Sequence, residues 1–247
     1  MNILPVYCIN LHHRTDRKEH SFTQFNKLNI PVEKVIYPNF KKDIRGGVYG
    51  CFDSHMKIWK HFFYNYPEQQ ICLVLEDDFI TTENTRDIIK ESVKFFKSNY
   101  NNVDILFLHN LNINVKNELN TDIFSNGHGL GTHAYFVTRH FIESIIKKYG
   151  SLPKPNGRHF DFELNINNFD NDNWLYTEKI FFTNKECIKQ IIDKSDNYLN
   201  YIDELIRTDM NKQLELYKNV GLFFKKYNLL NDIQIKKILY KIKQLLL

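Results

Sequence analysis

Three consecutive carboxylates, Glu76-Asp77-Asp78, close an apolar run, Ile71-Cys72-Leu73-Val74-Leu75. The run reads as a buried strand spanning 70–79. Charge at a buried strand's end is expensive unless a cation answers it. Side chains alternate along a strand, so Glu76 and Asp78 are expected on one face and Asp77 on the other. Two converging carboxylates suit Mg²⁺ or Mn²⁺, hard ions that take oxygen ligands and keep positions open for phosphate. The competing reading is a solvated strand end whose acids simply open a loop.

Two further clusters have the residue types for chemistry. His159-Phe160-Asp161-Phe162-Glu163 alternates polar and aromatic residues. If extended, it sets its three polar groups on one side, as a proton-handling face or as the solvated face of an edge strand. Ser54-His55 follows a polar, glycine-rich loop over 41–50, near the start of a predicted helix. A helix N-terminus favours anions, although Ser54 would serve equally as a plain N-cap. Other features carry less. Gly127-x-Gly129-x-Gly131 precedes a strand instead of following one, so it fails the context test for a phosphate loop. The ten histidines include no His-x-x-x-His pair, and His12-His13 reads as loop polarity.

The elements that must position these residues follow from periodicity. Strands are expected over 3–11, 31–37, 70–79, 103–108 and 134–137. Helices are expected over 14–28, 51–64, 84–98 and 139–149, and the stretch 110–130, rich in Asn and Gly, reads as irregular. Strands alternating with helices predict an α/β fold with a mostly parallel central sheet. Such sheets bind ligands beyond the carboxyl ends of their strands. After about residue 198 the pattern becomes purely helical, with Ile235, Ile238, Leu239, Ile242 and Leu245 at helical spacing among lysines. Two domains are therefore expected, 1–197 and a helical, amphipathic, basic extension over 198–247.

The chain has 247 residues, 43% hydrophobic and 25% charged. That composition excludes disordered, collagenous and disulfide-scaffold classes. The formal charge of +4 is too weak to predict nucleic acid, and it is local: residues 201–247 hold nine basic and five acidic groups. The tail helix is expected to pack on the first domain or on a second subunit, with peripheral contact with an anionic membrane as the other reading. No apolar run reaches the roughly 18 residues of a membrane span, and Met1–Leu11 has no basic n-region or cleavage site. Four widely spaced cysteines read as free thiols of a reducing compartment. The expected location is cytoplasmic, with a peripheral membrane position as the second reading.

Several blocks, in order, resemble glycosyltransferase family 25, the lipooligosaccharide and procollagen galactosyltransferases. Val6-Tyr7-Cys8-Ile9-Asn10-Leu11 with Arg14-Thr15-Asp16-Arg17 is similar to the family's opening strand and its Arg-x-Asp-Arg turn. Gly47-Val48-Tyr49-Gly50-Cys51-Phe52-Asp53-Ser54-His55 is similar to its Gly-x-x-Gly-Cys-x-x-Ser-His block, followed by Ile58-Trp59. Leu73–Phe79 matches its strand plus Glu-Asp-Asp, and Gly131-Thr132-His133-Ala134-Tyr135 its Gly-Thr-x-Ala-Tyr segment. Asp161 falls at an acidic position after the next helix. Gln190 with Ser195-Asp196 resembles a weak late motif, departing from it at Asn197.

The resemblance covers about 1–197. It implies a GT-A type nucleotide-sugar fold, a UDP-sugar donor, and inverting transfer of a hexose, galactose first and glucose second, to a glycan acceptor. It also implies Mn²⁺ or Mg²⁺, with Asp78 as first choice of ligand, Glu76 as a ligand or ribose contact, and Asp77 beside them. Asn10, Leu11, Arg14, Ser54 and His55 are then donor-binding candidates, His55 toward the diphosphate or metal. Arg17 reads as a helix surface charge. Asp161 is the expected base, with Glu163 and then His159 behind it. Three other readings stand: a transferase acting on hydroxylysine of collagen-like protein, a non-catalytic nucleotide-sugar-binding module, and a metal-dependent phosphohydrolase.

Overall fold

The computed structural model describes residues 4–109, 112–115, 121–129, 131–155, 159–165, 175–185 and 187–190. The chain divides after Ile191, so all of these belong to its first unit. The tail after 198 and the Ser195-Asp196 motif lie outside the described residues.

The elements run β1 (Val6–Ile9), α1 (Thr15–Lys27), β2 (Val35–Ile36), α2 (Gly47–Asn65), β3 (Ile71–Glu76), β4 (Phe79–Thr81) and α3 (Thr85–Asn99). They continue with β5 (Ile105–Phe107), β6 (Asn112–Val115), β7 (Phe124–Gly129), β8 (Ala134–Thr138), α4 (Arg139–Tyr149), α5 (Phe160–Asn165), β9 (Ile180–Thr183) and β10 (Ile188–Gln190). Eight strands form one sheet in the order β2-β1-β3-β8-β5-β9-β7-β6. Pairings of β1 with β2, β1 with β3 and β5 with β9 are parallel, whereas β8 and β7 run antiparallel to their neighbours. Six of the eight strands therefore point the same way, as expected of this α/β class. A small antiparallel pair, β4 with β10, stands apart.

Alternation along the strands sorts the core into two layers. Val6, Cys8, Leu73, Leu75, Leu106 and Phe136 face one side, against Phe25 of α1 and Ile88, Phe95 and Phe96 of α3. Tyr7, Cys72, Val74, Phe107, Tyr135 and Val137 face the other, against Phe52, Met56, Trp59 and Phe62 of α2 and Phe160 of α5. Phe52, Trp59 and Phe62 are at most 1% exposed. Full burial of such a side chain is worth about 1.5–3 kcal/mol, so α2 is firmly held where it carries Cys51, Ser54 and His55.

Four expectations change. The strand over 70–79 breaks into β3, a turn at Asp77-Asp78, and β4. The 31–37 segment keeps only Val35–Ile36 as strand, after a 3-10 turn at Val32–Lys34. The stretch 110–130 supplies β6 and β7; period-2 alternation is weak there, and cross-strand pairing makes the strands. The 159–163 segment is the start of helix α5, because Phe160 and Leu164, one turn apart, are both buried on α2's side of the sheet. No described helix is long and apolar enough to cross a membrane.

Candidate functional site

The carboxyl ends of β1, β3 and β5 and the start of the reversed strand β8 meet at one edge of the sheet. Register makes the assembly tight. Ile9 pairs with Glu76, the Glu76 amide donates to the His133 carbonyl at 2.9 Å, and the Asp77 amide donates to the Ile9 carbonyl at 3.0 Å. Glu76 shares parity with Cys72 and Val74 and so faces α2. There Thr132 Oγ1 donates to Glu76 Oε1 at 2.6 Å, and His55 Nε2 lies 3.4 Å from the same oxygen. Burial works to raise the Glu76 carboxyl, but His55 and Thr132 hold it below its usual range.

Past Glu76 the turn ends strict alternation, and the next two carboxylates gather on α1. Arg17 Nη1 lies 3.6 Å from Asp78 Oδ2 and 4.0 Å from Asp77 Oδ1. Asn10 Nδ2 donates to Asp77 Oδ2 at 2.7 Å. Gln190 Nε2 donates to Asp78 Oδ2 at 2.8 Å, placed there by the pairing of Gln190 with Phe79. Asp78 Oδ1 is buried with no hydrogen-bond partner among the described residues. Burial, reinforced by the Glu76 carboxylate, pushes the Asp78 carboxyl up to about 7. Burial also raises Asp77, partly offset by Asn10 and Arg17. Burial and mutual repulsion thus raise both carboxyls of the turn.

The Ser54-His55 pair sits deeper than expected. Helix α2 begins at Gly47, so Ser54 lies in its second turn and is no N-cap; its hydroxyl donates to the Gly50 carbonyl at 2.7 Å. His55 is 0% exposed. Its ring stacks on Phe160 at 4.2 Å, and its Nδ1 lies 2.8 Å from Tyr135 Oη. Its Nε2 lies against Glu76 Oε1. Cys51, one turn earlier on the same helix, carries a thiol raised by burial and by the Glu76 and Asp161 carboxylates.

On the other flank, the Gly131 amide donates to Asp161 Oδ2 at 3.0 Å. Gly131 has φ +93°, and a Cβ there would come 3.3 Å from His133 Nδ1. His109 Nε2 sits 3.0 Å from the Gly131 carbonyl, and its ring stacks on His133 at 4.5 Å. Burial lowers both imidazoles, so both are held neutral. Because α5 is helical, Asp161 and Glu163 do not share a face. Asp161 is half-buried at the edge, whereas Glu163 is 2% exposed.

The remaining sequence candidates diverge. Leu11 bridges to Phe40. The Arg14 guanidinium turns outward to Asp16 at 2.8 Å, while its carbonyl accepts from Asn10 Nδ2. Arg17, expected on the surface, is instead the guanidinium that reaches both Asp77 and Asp78. Thr132, His109 and Cys51 were not singled out as site residues. Only the Gly-Thr and Gly-Cys blocks signalled two of them, and nothing local marked His109.

Which cation fits is a question of donor chemistry. Cys51, His55 and Glu76 offer atoms within 4.8 Å of one another, a sulfur-nitrogen-oxygen set of zinc type. The turn offers oxygen alone. Both Glu76 contacts use Oε1, and Asp78 Oδ1 is a buried acceptor with no donor among the described residues. Carboxylate oxygens are the donors that a hard divalent ion takes, although Glu76 turns to the α2 side and Asp78 to the α1 side, so the expected sharing of one face by these two does not hold past the turn.

Comparison with known proteins supplies a family. The model described as "Glycosyltransferase family 25 (LPS biosynthesis protein)" matches residues 33–158. No curated protein matches the chain. Among solved structures, A197 from STIV is similar with 12% identity and a TM-score of 0.43, over 77% of this chain and 87% of that one. A glycosyltransferase involved in glycosylation of the major capsid of PBCV-1 is similar with 10% identity and a TM-score of 0.36, over 62% and 71%. A 4-diphosphocytidyl-2C-methyl-D-erythritol synthase from Anaerococcus prevotii DSM 20548 follows with 8% identity and a TM-score of 0.39, over 78% and 75%.

Proposed function

Since the chain belongs to glycosyltransferase family 25 and is a glycosyltransferase, we propose that it moves a hexose from a UDP-sugar to a glycan acceptor with inversion, galactose first and glucose second. The observation that supports this reading is the carboxylate turn: Glu76, Asp77 and Asp78 at the sheet's carboxyl edge, with Asp78 Oδ1 buried and without a hydrogen-bond partner among the described residues. Membership in the family sets aside the phosphohydrolase and the non-catalytic module.

The residues divide the work by position. Asp78 and Glu76 would hold Mn²⁺ or Mg²⁺. Such an ion supplies Lewis-acid stabilisation of the charge that gathers on a departing diphosphate. Thr132 and Gln190 aim the two carboxylates, and Arg17 limits repulsion between Asp77 and Asp78. Asn10 ties Asp77 to the end of β1, where a nucleotide would lie in the crevice of the sheet. Asp161, oriented by the Gly131 amide, is the proposed general base for the acceptor hydroxyl. Glu163, buried in α5, is a weaker candidate for that step. Residues 198–247 are proposed as a separate extension that contacts a membrane or a second subunit.

The test is hydrolysis of a UDP-sugar panel with Mn²⁺ and with EDTA, on wild type and Asp78→Ala. Turnover of one donor that disappears with EDTA and in the variant is expected. Failure to bind UDP, measured by calorimetry, would overturn the donor assignment.

A further inference from the structure

The structure assigns His55 a positioning role: a relay from Trp59 through Tyr135 places its Nε2 proton against Glu76 and so holds that carboxylate. The inference rests on the proposed role of Glu76 at the metal. Its geometry is independent of that role.

Proton accounting fixes the tautomer. Trp59 Nε1 can only donate, and it lies 3.1 Å from Tyr135 Oη. The phenol oxygen therefore accepts there. The phenol's other partner is His55 Nδ1, at 2.8 Å. Tyr135, His55 and Trp59 are all 0% exposed, so water is not an alternative acceptor. Leaving the phenol proton without an acceptor would cost about 1–3 kcal/mol. Tyr135 must then donate to Nδ1, which leaves the ring proton on Nε2. That nitrogen faces Glu76 Oε1 at 3.4 Å, a polar contact longer than a hydrogen bond, and has no hydrogen-bond partner among the described residues. The stack on Phe160 and the edge-on packing of Trp59 against Phe160 keep the ring from turning.

The relay also decides between two uses of one cluster. Cys51, His55 and Glu76 are near enough to share a soft ion, but that needs a bare Nε2 and a thiolate. The relay puts a proton on Nε2, so a soft ion there would have to break the Tyr135–His55 hydrogen bond. In this arrangement His55 is a polar support against Glu76, beside the Thr132 hydrogen bond to the same oxygen.

The test is long-range ¹H–¹⁵N correlation of histidine side chains in the ¹⁵N-labelled full chain without metal, with His55 assigned by its loss in His55→Gln. A pyridine-type Nδ1 with a pyrrole-type Nε2 is expected in wild type. A protonated Nδ1 would overturn the relay. Tyr135→Phe should release the tautomer into a mixture, and an unchanged spectrum would equally overturn it. In a second arm, Mn²⁺ is titrated into wild type, His55→Gln and His55→Leu, with folding checked by circular dichroism. The Gln amide can still donate and should bind like wild type, whereas the Leu variant should bind roughly 10- to 100-fold more weakly. Wild-type affinity in the Leu variant would overturn the positioning role. If wild type binds no Mn²⁺ while the tautomer is as expected, the metal assignment of Glu76 falls and the relay stands on the spectra.

Discussion

Thr132 and Glu76 are joined by a 2.6 Å hydrogen bond across the antiparallel seam between β8 and β3, one residue from a backbone bond between Glu76 and His133. The hydroxyl holds the carboxylate's Oε1 while the backbone holds its Cα. Thr132→Val keeps shape and removes the donor. Mn²⁺ affinity is expected to fall by about 10-fold, with stability lowered by about 1–2 kcal/mol. Calorimetric titration and urea denaturation read the two effects separately.

Arg17 is the cation that reaches both Asp77 and Asp78. In Arg17→Ala these carboxylates lose it, so metal-free protein should be less stable by about 1–3 kcal/mol. Saturating Mn²⁺ should recover much of that loss by replacing positive charge. Melting curves in EDTA and in Mn²⁺ check both.

Asp78→Asn should have opposite effects on stability and on metal binding. The folded-state value of Asp78 stands near 7 against an ordinary 3.8. A raised value means that the folded protein holds the proton more tightly than the unfolded chain. The stability from this proton is complete below about 4 and is lost as pH rises through about 7. In EDTA, the Asn variant should therefore gain stability over wild type as pH goes from 5 to 8, by about 1–3 kcal/mol at the upper end. It should lose its thermal response to Mn²⁺. A wild-type advantage at pH 8 without metal would contradict the crowding of these acids.

Asp161→Asn should leave UDP affinity within a few-fold of wild type and lower kcat by about 10²- to 10⁴-fold, the range of a lost general base. A transfer assay beside UDP titration makes the comparison. Glu163→Gln should instead act mainly on stability.

Gly131→Ala forces a side chain into φ +93°, with its Cβ 3.3 Å from His133 Nδ1. A cost of about 1–3 kcal/mol is expected, together with lower activity because the Gly131 amide orients Asp161. Restoration of full activity at saturating donor would count against that link.

The sequence by itself determined the buried strand that ends in Glu76-Asp77-Asp78, the amphipathic helices, the α/β class and the blocks that carry the family. These are properties of near neighbours along the chain, and period and turn chemistry report them directly. Only the tertiary structure decided the surroundings of the carboxylates. Arg17 looked like a surface charge because nothing local to α1 shows that β1 and β3 pair side by side. Ser54 looked like an N-cap because glycines at 46–50 mask the true start of α2 at Gly47. The alternation at 159–163 suggested a strand, and burial of Phe160 and Leu164 made it a helix. Thr132 and Tyr135 meet Glu76 and His55 across separations of 56 and 80 residues. Contacts of that range are set by sheet register, which no short window of sequence contains.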